Sequence, residues 1–385
     1  MQELSTDVAV IGAGTAGLSA YRAVKTQGKR AMLVEGGAYG TTCARVGCMP
    51  SKLLIAPSDA AHAVGRLAAF GLAIDAPVRV DGRAVMTRVR RERDRFVGFV
   101  VEGVEAIAPE DKLRGMARFV DDRTLQVGDD VTLHAARVVI ATGSSPSFPP
   151  AWRALGDRLV INDDVFEWSD LPQSVAVFGP GIIGLELGQA LHRLGVRIAV
   201  FGRGGGVGPL ADPVLIAEAR EILGGEFPLD VDARAEVSRD GDAVVVNLRG
   251  TDGRAREERY AYLLAATGRR PNVAGLRLDA TSLALDAAGV PLFDRTTLRC
   301  GESSIFIAGD ANDDVPLLHE AADEGRIAGD NAARYPEVAA GARRAGLAIV
   351  FTDPQMAVVG GGYAAVRDRA HVVGHVSFEN QGRAR

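Results

Sequence analysis

Two of the three cysteines in this 385-residue chain stand close together in GTTCARVGCMPSK, Gly40 to Lys52. Four residues separate Cys43 from Cys48, and Arg45, Gly47, Pro50 and Lys52 surround them. In an ideal helix this spacing holds the Cα atoms about 8.7 Å apart. A disulfide spans less than about 7 Å. A bridge therefore requires an irregular segment, and Gly47 supplies the backbone freedom for one. Pro50 suits the first turn of a helix, which predicts Cys48 at a helix N-terminus, where the local positive potential lowers a thiol pKa. Lys52, four residues on, adds a cation near that sulfur or near a bound cofactor. Three chemistries are open to the pair: two inert thiols, a metal clip, or a disulfide that opens and closes in a reaction. Zinc needs two further ligands. Cys300 is isolated and none of the six histidines pairs with a cysteine at ligand spacing, so no metal site is expected. Cys300 itself reads as a small buried residue.

The elements around the pair have the pattern of nucleotide binding. TDVAVIGAGTAGLSAYRAVKTQGKRAMLVEGG reads as strand, glycine turn, amphipathic helix and a second strand ending at Glu35. Gly12, Gly14 and Gly17 form G-x-G-x-x-G between strand and helix, the setting a dinucleotide fingerprint requires. Gly12 permits the tight turn, Gly14 lets backbone approach a pyrophosphate, and Gly17 permits close helix–strand packing. The N–H groups of the helix N-terminus then face the phosphates, and the Glu35 carboxylate can accept hydrogen bonds from ribose hydroxyls. The pattern recurs in SVAVFGPGIIGLELGQALHRLGVRIAVFGR, with Gly179, Gly181 and Gly184. Two nucleotide sites follow, or one site and a degenerate duplicate.

Two apolar strands end in Ala-Thr-Gly, in VVIATGSSPSFPP and LLAATGRRPN, and each runs into a stretch that reads as a domain crossing. SSIFIAGDAN, closed by Gly309 and Asp310, precedes the helix-like PLLHEAADEGRIAGDNAA. These landmarks predict an α/β protein with two Rossmann-like dinucleotide-binding domains and a discontinuous layout. Residues 1–145 form the first part of one nucleotide domain, 146–268 a second domain inserted into it, and 269–342 the return. Residues 343–385 begin a further unit with strand-like runs and glycine breaks.

Composition sets the outer bounds. With 47% hydrophobic and 24% charged residues the chain is ordinary for a globular α/β protein. A net charge of -5 argues against nucleic acid as the main partner. No segment approaches the ~20 uninterrupted apolar residues of a membrane helix. MQELSTDVAVIG runs from a short polar lead into an apolar strand and lacks the features of a signal peptide, so a cytoplasmic location is expected. A purely structural disulfide is not expected there.

In these motifs the chain resembles the flavin-dependent pyridine nucleotide–disulfide oxidoreductases, and within them the dihydrolipoamide dehydrogenases. GTTCARVGCMPSK is similar to that family's active disulfide motif, with Arg45 where Asn is usual and Thr41 where a second Gly is usual. ATGSSP, ATGRRPN and IFIAGDAN resemble its shared landmarks, and VFTDPQMAVVG the opening of its α+β interface domain. The resemblance implies FAD held by Gly12, Gly14, Gly17, Glu35 and Thr42. It places Gly143 and Asp310 at the flavin site, Lys52 near the flavin ring, and Ala117 against the adenine. NAD or NADP would lie on Gly179, Gly181 and Gly184, with Glu186 and Gly268 beside the nicotinamide. Cys43 would be the interchange thiol that meets substrate, and Cys48 the thiolate facing the flavin.

The implied reaction passes electrons from dihydrolipoamide, or another small or protein-borne disulfide partner, through the Cys43–Cys48 disulfide and FAD to NAD(P). Mercuric or glutathione reductase activity is the alternative inside the family; a non-catalytic FAD-binding component of a dehydrogenase complex is the alternative outside it. The resemblance further implies a homodimer in full-length form, a possible place in a 2-oxo acid dehydrogenase complex, a role in cell redox homeostasis, and an interface domain of which residues 343–385 are only the start. None of the histidines, His62, His134, His192, His319, His371 and His375, sits in the family's histidine–glutamate motif, and His319 reads as a packing or cofactor contact. The second strand of the nicotinamide unit ends at Gly202 where a carboxylate is expected, and Arg203 follows; this predicts use of NADP as well as NAD.

Overall fold

The computed structural model describes residues 2–75, 79–249, 255–378 and 380–382. Its first sheet has seven strands and is centred on Gln2–Ile11. Ala31–Glu35 and Val131–Ile140 flank that strand in parallel, with Val8 opposite both Ala31 and Arg137. Lys112–Arg114 continues one side, and Ile305–Ile307 joins the C-terminal part of Val131–Ile140, both in parallel. The other part of Val131–Ile140 carries an antiparallel pair, Thr124–Val127 and Ala117–Asp121. Val8, Ala9 and Val10 are all fully buried, because layers cover both faces of the sheet. The strand begins at Gln2, before the apolar run: Gln2 to Thr6 pair with Val131 to Ala135 through backbone alone, which needs no apolar side chains.

One face of this sheet packs on two helices, Thr15–Thr26 and Leu318–Arg334. They cross at very short range. A Cβ at Gly325 would overlap the carbonyl oxygen of Ala16, and one at Gly329 that of Ala20. Small residues at this crossing bring the IFIAGDAN turn up to the first glycine turn.

The second sheet runs Leu229–Asp230, Arg197–Phe201, Ser174–Phe178, Tyr262–Ala265, Leu159–Val160, all parallel. Three antiparallel strands, Arg234–Asp240, Ala243–Arg249 and Ala255–Tyr260, form a separate layer beside it. The chain leaves the first sheet through Ser144–Pro146 and returns through Arg269–Pro271, and these two segments pair antiparallel as a ribbon. The cysteine segment bridges the two sheets. Its helix, Cys48–Gly65, shares a core with Ile182–Arg193 through Leu54, Leu185 and Leu187. The hairpin Leu347–Val350 and Met356–Val359 closes over that helix pair, followed by the short helix Gly362–Val366. Among the described residues no helix is long and apolar enough to cross a membrane.

Candidate active site

The two glycine turns have nearly the same geometry. Gly12 and Gly179 have φ of 107° and 110°, and a Cβ at either would overlap the backbone carbonyl of the neighbouring strand's end, Ala141 or Ala266. A Cβ at Gly17 would overlap the Gly12 carbonyl, and one at Gly184 the Gly179 carbonyl. Gly14 and Gly181, by contrast, cap the following helices and have nothing within 4 Å of where a Cβ would stand. Four glycines pack the turns shut from behind, and two leave the front open to a ligand.

One cavity of about 690 Å³ joins these open faces. Gly14, Gly143 and Asp310 line one end, and Gly181, Glu186 and Gly268 the other, with Thr42, Cys43, Cys48 and Lys52 between them. Glu35 lies behind the first turn: its carboxylate accepts from the Ala13 N–H at 2.8 Å and the Gly37 N–H at 2.6 Å. Ala117 is buried at the start of an outer strand of the first sheet and does not line the cavity. Arg203 lies outside it as well, at a second cavity beside the second sheet.

The cysteines sit at a break between two helices. Thr42–Val46 ends at Gly47, and the next helix begins at Cys48. Both sulfurs are thiols here. The Cys43 thiol hydrogen-bonds the Cys48 sulfur, and together with the Lys52 charge and the Cys48 N–H it brings the Cys48 pKa down to about 6 despite burial. The same hydrogen bond, with burial and the neighbouring negative sulfur, pushes Cys43 well up. In the reduced pair both shifts favour the negative charge on Cys48 over Cys43. Cys300 is fully buried against the first sheet and its thiol is pushed up to about 12 by that burial, so it stays inert.

Thr41 introduces local strain. Its φ of 55° with ψ of 151° lies in a region that side chains avoid. Its hydroxyl offsets part of this by accepting from the Ala44 N–H at 3.2 Å, capping the cysteine helix. From the opposite side Asn162 donates to the Val46 carbonyl at 2.8 Å.

Phe351, Ser144, Arg269 and Glu324 support residues already expected at the site and were not themselves legible in the sequence. Lys52 Nζ lies 2.7 Å from Glu186 Oε2 and 4.4 Å from the centre of the Phe351 ring. Phe351 in turn donates its N–H to Glu186 Oε1 at 3.0 Å. Ser144 donates to Asp310 at 2.6 Å and accepts from Arg269 Nε at 2.8 Å. Buried Glu324 accepts from Gly309 N–H and Asn312 Nδ2 at 2.8 and 2.7 Å and so holds the Asp310 turn. Its carboxyl pKa is raised by burial, against the pull of those donors and Arg343. His319 lines the cavity, and its Nε2 is buried without a partner among the described residues.

Residues 6–325 match the model of the family described as pyridine nucleotide-disulphide oxidoreductase. The chain belongs to this family. It is 31% identical over 403 residues to a protein named dihydrolipoyl dehydrogenase 3 from Pseudomonas aeruginosa, covering 99% of this chain and 83% of that one. It is 32% identical over 367 residues to a mercuric reductase from Shigella flexneri, covering 92% of this chain and 63% of that one. Its fold superposes with a TM-score of 0.76 on the HOCl-induced flavoprotein disulfide reductase RclA from Escherichia coli, at 22% identity, covering 94% of this chain and 79% of that one.

Membership makes the chain an FAD-dependent NAD(P) oxidoreductase of the flavoprotein disulfide reductase type. The residues present fit both groups. Two turns are open only at Gly14 and Gly181, and the cavity between them is continuous.

Proposed function

We propose that the chain moves electrons between a dithiol–disulfide substrate, dihydrolipoamide by preference, the Cys43–Cys48 pair, FAD and NAD(P). The observation that carries this reading is the position of both cysteines in the one cavity that also reaches Gly14 and Gly181. Bound there, the flavin supplies the two-electron step between the cysteine pair and the nicotinamide.

Residue roles follow from the electrostatics. A substrate thiolate attacks Cys43 of the oxidised pair, and the Cys43–Cys48 bond breaks with its electrons leaving on Cys48. Cys48 is the better leaving group because its thiolate is stabilised by the Lys52 charge and the Cys48 N–H. The second substrate sulfur then attacks the first, and Cys43 departs and takes up a proton. The substrate leaves as a disulfide, two electrons poorer. Glu186 and Phe351 fix the Lys52 ammonium beside this path. Gly12, Gly17 and Glu35 shape the FAD turn, with Thr42, Gly143 and Asp310 as further contacts in the cavity and Ala117, outside it, toward the adenine; Gly179, Gly184 and Gly268 shape the nicotinamide site.

In this reading residues 1–145 and 269–342 form the FAD domain, 146–268 the NAD(P) domain, and 343–385 part of an interface domain. The enzyme works as a cytoplasmic homodimer, serves cell redox homeostasis or a 2-oxo acid dehydrogenase complex, and accepts NADP beside NAD. A relative named mercuric reductase, at 32% identity, supports a second reading in which another acceptor meets the same cysteines. Steady-state rates with dihydrolipoamide, oxidised glutathione and Hg²⁺ separate the readings. Turnover with dihydrolipoamide alone supports the first, and turnover with Hg²⁺ or glutathione alone replaces it. No turnover with any, in a protein that holds FAD, leaves a binding component.

A further inference from the structure

Strand register makes Gly202 the counterpart of Glu35. Ile11 pairs with Val34 and the Gly12 N–H bonds the Val34 carbonyl; Phe178 pairs with Phe201 and the Gly179 N–H bonds the Phe201 carbonyl. The next residue is Glu35 in the first unit and Gly202 in the second. In the first unit the carboxylate is held by the N–H of Ala13, between the first two glycines of the turn. In the second unit that residue is Pro180, which has no N–H to give. Its ring also occupies the space: a Cβ at Gly202 would stand 2.5 Å from Pro180 Cγ and 2.7 Å from Cδ. An acidic side chain at 202 is thus excluded twice, by the missing donor and by the filled volume.

What lies beside this position instead is cationic. Arg203 is exposed and lines a cavity of about 590 Å³ with Arg234, Arg249, Asp232, Glu236 and Asn247 among its walls. Asp232 accepts from the Gly204 N–H at 3.0 Å. Among the described residues its walls hold three arginines and two acidic residues. Among the described residues the Arg203 guanidinium has no ion pair to satisfy it. A carboxylate repels a phosphate on the adenosine ribose, whereas an arginine fork binds one.

We infer that Pro180 and Gly202 together open this site to a 2′-phosphorylated adenosine ribose, which Arg203 holds, so that the phosphorylated nicotinamide dinucleotide is the preferred cofactor. The inference rests on the second glycine turn being the nicotinamide site, as proposed above.

The test is direct binding to the FAD-saturated protein by isothermal titration calorimetry, with adenosine 2′,5′-bisphosphate and 5′-AMP as probes. The bisphosphate binds about tenfold tighter than 5′-AMP, and Arg203→Ala removes most of that margin. The double variant Pro180→Ala/Gly202→Glu, which rebuilds the Ala13–Glu35 arrangement, reverses the preference. Equal or tighter binding of 5′-AMP by the unaltered protein overturns the inference while leaving the nucleotide site intact. An unchanged ratio in Arg203→Ala, a surface variant expected to fold, overturns the assignment to Arg203. Failure of both probes to bind overturns the nicotinamide-site reading itself.

Discussion

Lys52 and Glu186 form an ion pair of 2.7 Å across the seam between the cysteine helix and the helix of the second glycine turn. The pair sets the charge around Cys48 from both directions: the ammonium lowers that thiol's pKa and the carboxylate raises it. Its titration therefore reads out the site. In reduced protein, alkylation of Cys48 should rise with pH through a midpoint near 6 in place of the ordinary value near 9.0. Lys52→Met and Cys43→Ala should each move the midpoint up, and Glu186→Gln should move it down. The depressed pKa also has a sign for stability: its contribution is present above the unfolded value and is lost as pH falls through about 6. Mass-spectrometric quantification of the Cys48 peptide across pH checks each shift.

Thr41 offers a test of strain against capping. Thr41→Ala keeps the unfavourable backbone and loses the hydroxyl cap, so it should destabilise the protein by about 1 kcal/mol. Thr41→Gly relieves strain of about 1–3 kcal/mol and loses only a few tenths as a cap, so it should stabilise. Chemical denaturation of the two variants decides, and a Gly variant weaker than the Ala variant contradicts the strain argument.

The glycine turns should be separable. Gly17→Ala drives a methyl group into the Gly12 carbonyl, and Gly184→Ala does the same at Gly179. Each costs at the upper end of about 1–3 kcal/mol, because backbone cannot yield as a side chain can. The first variant should lose its flavin absorbance. The second should stay yellow and fail with NAD(P), which absorbance and a nicotinamide binding titration show together.

Glu324 holds the Asp310 turn from a fully buried position. Glu324→Ala strands the Gly309 N–H, the Asn312 amide and one branch of the Arg343 guanidinium, at about 3–5 kcal/mol. Glu324→Gln keeps an acceptor and should lose less. Flavin retention should fall in the order parent, Gln, Ala; equal retention in all three would show that the turn stands without this residue.

Much of this site was legible in the sequence because its chemistry is local. The glycine turns, the cysteine break at Gly47 and the helix start at Cys48 are each set within a dozen residues. Contacts between distant segments were not legible. Ser144 meets Asp310 across 166 positions and Lys52 meets Glu186 across 134, and only the folded arrangement of two sheets brings them together. Gly202 was visible as a missing carboxylate. That Pro180 fills its place required the strand register, which no local pattern carries.

The central claim is that Cys48 is the charged sulfur at the flavin and Cys43 the one that meets substrate. Stepwise reduction with dithionite, followed by visible spectroscopy, tests it most directly. At the two-electron stage the parent protein should show long-wavelength absorbance from thiolate-to-flavin charge transfer; Cys43→Ser, which has no disulfide to open, should show it before any dithionite is added, and Cys48→Ser should show none at either stage. Identical spectra for the two variants, or a colourless protein, would contradict the assignment.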